Sequence, residues 1–113
     1  MKWDDLIIGP HRVEVIVFDL ADKDASGEAH ISQNEIHLRG GMPASQEVET
    51  LLHEVVHLLM CSVPMGDTID EMVAGVVGRG LTAFVKDNPA TIRQLLKVLK
   101  KEETNKCQKP PRR

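Results

Sequence analysis

The chain has 113 residues, 42% of them apolar and 27% charged, a balance that belongs to a folded globular protein and excludes a disordered one. A formal net charge of -3, with one Trp, two Phe and no Tyr, disfavours a stacked-ring platform for single-stranded nucleic acid. The length predicts a single domain over 1–103 with a basic polar tail over 104–113, and leaves no room for a separate recognition domain.

Charge is unevenly distributed. Residues 1–90 carry 15 acidic and 6 basic side chains, whereas 91–113 carry 8 basic and 2 acidic ones. A solvated basic end explains this; contact of the 91–113 segment with nucleic acid is the sharper alternative. Two cysteines, Cys61 and Cys107, without a Cys-x-x-Cys spacing, do not make a disulfide framework. The start MKWDDLIIGP is acidic, with only a short apolar run, and does not read as a secretory leader. No apolar stretch nears the roughly 20 residues that span a bilayer. The expected location is therefore cytoplasmic, without membrane contact.

The first predicted element is a strand over Arg12–Leu20, rich in β-branched residues and apolar on both faces, which suits a strand inside a sheet or covered on both sides. Residues 21–27 read as a loop. Gly27–Ile31 and Glu35–Leu38 read as two short strands, with Ser32-Gln33-Asn34 closing a hairpin. Gly40-Gly41-Met42-Pro43 breaks the chain. A helix then runs from an N-cap at Ser45 to about Met60, with Glu47 in its first turn. A second helix, capped by Asp67 or Thr68, reaches about Lys86. Asn88-Pro89 starts a third, with Ile92, Leu95, Leu96 and Leu99 on one face. Strands first and helices after predict an α+β fold: a short mixed or antiparallel sheet followed by three helices.

The first helix carries His53-Glu54-Val55-Val56-His57. Positions i and i+4 share a helix face, so the two imidazoles can grip one zinc ion while Glu54 polarises the attacking water. A catalytic zinc needs a third protein ligand and an open position. No histidine follows His57, and Met60 and Val63 stand where the metzincin extension has Gly and His. Glu71 is the favoured third ligand. If residues 61–67 form a helix hairpin, Glu71 stands at the height of His57. The small residues Ala74, Gly75 and Gly78 then let the helices approach, leaving Val73, Val77, Leu81 and Phe84 to face the core. Asp70 is the main rival. Cys61 is a further one, although a buried free thiol is the more common reading of such a residue.

HEVVH over 53–57, followed by Asp70-Glu71-Met72-Val73-Ala74, resembles small zincin-like metallopeptidases of the gluzincin type. Minimal ImmA/IrrE-like and phage-encoded metallopeptidases are the nearest in style, over roughly residues 12–90. The resemblance implies one zinc ion held by His53, His57 and Glu71, Glu54 as general base and acid, and hydrolysis of peptide bonds in a protein substrate. It also implies a substrate laid along an edge strand, here Glu35–Leu38, and action in a host cytoplasm if the chain is phage-encoded. Many zincins stabilise the oxyanion with a Tyr or His. With no Tyr here, His30, His37 and Arg79 remain for that task. A catalytically weak or inactive zinc-binding scaffold with a regulatory binding role is the competing function.

Overall fold

The computed structural model describes residues 3–18, 25–64 and 66–108. The fold is α+β, a four-stranded mixed sheet followed by three helices. Strand β1 (Leu6–Ile8) and strand β2 (His11–Phe18) form an antiparallel hairpin over Gly9-Pro10, where Gly9 takes the left-handed φ of +59° that the tight turn requires. Strand β3 (Gly27–His30) and strand β4 (Glu35–Arg39) are also antiparallel, joined by a 3₁₀ turn at Ile31–Gln33 and by Asn34 at φ 53°. Asn is among the few side chains that tolerate that region. β4 inserts beside β2 in parallel, giving the order β1-β2-β4-β3.

This order corrects the expected edge. Glu35–Leu38 lies in β4, which is paired on both sides and has no free backbone ladder for a peptide; the edge strand on that side is β3. β2 is interior, as its composition suggested, but only one of its faces is covered: Val13 and Val15 are buried while Phe18 is 39% exposed. Residues 19–24 of the expected strand and loop lie outside the described residues.

Helix α1 (Ala44–Met60) lays Leu51, Val55 and Leu58 on the sheet. They meet Val13, Val15, Ile36 and Leu38, with Trp3, Leu6 and Ile8 at the margin. Ile36, Leu38 and Val13 are fully buried, each contributing roughly 1.5–3 kcal/mol of transfer free energy. Ser45 does not cap α1. The helix already begins at Ala44, with Pro43 in the cap position and its carbonyl accepting the Glu47 N–H at 2.9 Å, so Ser45 lies inside the first turn.

Helix α2 (Asp67–Asp87) starts with Gly66 accepting the Asp70 N–H at 3.0 Å; Asp67 is its first residue rather than a cap. Its buried face is Ala74 and Gly78. Val73 and Val77 are half-buried, and Leu81 and Phe84 are each 45% exposed. The expected core stripe is thus one position out of phase, because the small residues sit where another backbone comes close. Cys61 is exposed rather than buried.

The chain divides into two compact units at Thr82/Ala83. The second holds the end of α2 and helix α3 (Pro89–Gln108). Asn88 separates the two helices: its side-chain N–H donates to Phe84 O at 3.0 Å, and its carbonyl accepts from Ile92 N–H at 3.1 Å. α3 runs past Thr104, where a tail was expected, since no Gly or Pro interrupts it before Pro110. Among the described residues, no helix is long and apolar enough to cross a membrane.

Candidate metal centre

α1 turns two sides to the protein. Leu51, Val55 and Leu58 face the sheet, while Glu49 and His53 meet α2 at Gly78. A Cβ on Gly78 would stand 3.2 Å from His53 N and 3.3 Å from Glu49 O, so the helix backbones touch there. This close crossing sets the first turn of α2 against the histidine face of α1.

The result is a convergence of donors. His53 Nε2 lies 2.7 Å from Glu71 Oε1, His57 Nε2 lies 3.1 Å from Glu71 Oε2, and the two Nε2 atoms are 3.2 Å apart. All three side chains predicted as zinc ligands are therefore brought together, from two helices. Asp70, the rival ligand, sits on the other side of the ring: its Oδ2 is 2.9 Å from His57 Nδ1. An ionised carboxylate can only accept, so Nδ1 carries the hydrogen and Nε2 is turned toward His53 and Glu71. Cys61 is not in the cluster.

The donor set suits zinc. Two imidazole nitrogens and one carboxylate are the ligands of an open catalytic site. Bonds of about 2.05 Å in a tetrahedron keep ligand atoms about 3.3 Å apart, close to the spacings of these three side chains. Burial works against a charged His57, yet the Asp70 hydrogen bond and the Glu54, Asp70 and Glu71 charges outweigh it and raise its pKa.

Glu54 is buried beside the histidines at 7% exposure. Its pKa is raised, chiefly by burial; His53 and His57 pull it down, and the Glu71 and Glu28 charges push it up. Two clefts flank it along β3. Gly27 and Thr50 line one, and Ala29 and Met60 line the other.

The oxyanion candidates separate. His37 alternates with Ile36 and Leu38 along β4, and His30 pairs directly with Glu35, so both histidines occupy the sheet face away from α1. They are removed as oxyanion groups for this site. Arg79 remains on α2, its Nη1 3.3 Å from where a Gly75 Cβ would stand. Sequence reasoning missed Asp70 as the His57 partner; the signal was an acid one residue before the third ligand. No family model, curated protein or solved structure matches the chain.

Proposed function

We propose that this protein is a zinc-dependent peptidase acting on a protein substrate, with His53, His57 and Glu71 as metal ligands and Glu54 as general base. The observation that supports the reading is the convergence of two Nε2 atoms and one carboxylate within 2.7–3.2 Å beside a buried Glu54 of raised pKa. A zinc ion there would supply Lewis acidity, polarising the scissile carbonyl and acidifying water. Glu54 takes the proton from the attacking water and delivers it to the leaving amine; a carboxyl whose pKa is raised by burial serves both roles better at neutral pH. Asp70 holds the His57 ring in the tautomer that keeps Nε2 available. Among the described residues β3 pairs only with β4, so a peptide can add to its other side between the two clefts.

The test is a comparison of wild type with Glu54→Gln, each assayed for bound zinc and for cleavage of an unfolded protein substrate. The variant retains zinc and loses about 10²-fold or more in turnover. Equal turnover refutes the reading. A second reading, zinc binding without turnover in a regulatory scaffold, is favoured by the position of His30 and His37 on the far side of the sheet. It predicts stoichiometric zinc and no cleavage by wild type.

A further inference from the structure

The strands β3 and β4 carry the same short pattern, Glu28-Ala29-His30 and Glu35-Ile36-His37. Their register places Glu28 directly opposite His37 and His30 directly opposite Glu35. All four side chains therefore share one face, the one away from α1, and form a square with alternating imidazole and carboxylate corners. The His30 and His37 rings stack with centroids 3.9 Å apart and planes 28° from parallel, and Phe18 meets His37 edge-on at 4.6 Å. Both rings turn Nε2 to a carboxylate: His30 to Glu28 Oε1 at 3.4 Å, His37 to Glu35 Oε1 at 2.9 Å. One ligand atom from each of Glu28, His30 and His37 lies within 4.8 Å of the others.

From this arrangement we propose a second metal site: a divalent transition ion of the zinc class, held by His30, His37 and Glu28, with Glu35 as the adjoining carboxylate. Two features carry the assignment. Two imidazoles plus a carboxylate form the donor set that such ions select, whereas calcium and magnesium take oxygen. Finally, the ligands are only half-buried, at 34% side-chain exposure for His30 and 15% for His37, so an ion can enter without the sheet opening. The ion's role follows from its place. β3 is four residues long and lies at the sheet edge beside Glu54; an ion bonded to both strands staples it to β4.

The site is independent of the helix cluster and is tested without any assay of cleavage. Apo protein carrying His53→Ala and His57→Ala removes the helix site and isolates the sheet site. Equilibrium dialysis against Zn²⁺ then yields one bound equivalent, and Zn²⁺ raises its melting temperature. Adding His30→Ala and His37→Ala abolishes both effects. Glu28→Gln, which keeps the size of the side chain, weakens Zn²⁺ binding at least ~10-fold; unchanged circular dichroism confirms that this variant is folded. The proposal is overturned if the helix-site variant binds no Zn²⁺ at 100-micromolar free ion, a concentration roughly 5.5 kcal/mol from the standard state. Zn²⁺ binding that is equal with and without His30 and His37 overturns it as well.

Discussion

Gly78 is where the closeness of α1 and α2 can be measured directly. An added Cβ meets three α1 backbone atoms, His53 N at 3.2 Å and Glu49 O and His53 Cα at 3.3 Å. Favourable carbon contacts lie near 3.5–4.0 Å, so each is short by about 0.3 Å, and a helix backbone cannot step aside as a side-chain tip can. Replacing Gly by Ala inside a helix is worth about 0.8–1 kcal/mol on its own, while overpacking of this kind costs about 1–3 kcal/mol. Gly78→Ala should therefore lose about 0–2 kcal/mol net. Gly80 supplies the control, since nothing lies within 4 Å of its Cβ position. Gly80→Ala should gain about 0.5–1 kcal/mol, through helix propensity alone. Urea unfolding of the metal-free variants reads both values, and an unchanged slope shows that only stability moved. Gly78→Ala should also weaken zinc binding, because Glu71 travels with α2 while His53 stays. Equal stabilisation by the two substitutions would refute the close crossing and, with it, the account of how Glu71 reaches the histidines.

Asp70→Asn leaves the three ligands in place but loosens the His57 ring; zinc affinity should fall about 10- to 100-fold in a competition titration with a chromophoric chelator. Glu71→Ala should cost more than Asp70→Asn in the same titration, and the reverse order would exchange their roles. Zinc release should begin at a higher pH than expected for ordinary imidazoles, because the raised His57 pKa lets protons compete earlier. For the metal-free protein the Glu54 sign is the opposite of a salt-bridged acid. Its folded pKa is raised, so the unfavourable contribution appears as pH rises from the unfolded value through the folded one. Glu54→Gln should therefore stabilise the metal-free chain at pH 7, with the gain vanishing below about pH 4. A gain that grows on acidification would contradict the burial of Glu54.

The helix cluster could be read from sequence because its information is local. His53 and His57 are i and i+4 on one helix, and Glu71 follows from a short connection and the small residues Ala74, Gly75 and Gly78. The same periodicity was less informative about which side chains beside those small residues would be buried. A helix that approaches another through Gly78 buries backbone rather than a bulky stripe, which leaves Leu81 exposed. Strand order was harder, because period-two patterns assign faces and not neighbours. β4 reads as one arm of a hairpin with β3, yet it also pairs in parallel with β2 across a long crossover, which leaves β3 at the edge. β1 does leave a signal in the sequence, three apolar residues running into Gly9-Pro10, a turn that folds them back on β2. The outer-face square lies between these cases. Glu-x-His occurs twice within ten residues and is plain in the sequence, but only the register that sets Glu28 against His37 turns two tripeptide patterns into one candidate site. A register one residue away would have sent Glu28 and His30 to the α1 side and left His37 and Glu35 alone on the outer face. The second metal proposal thus depends on the pairing of β3 and β4, whereas the first depends only on the geometry of two helices.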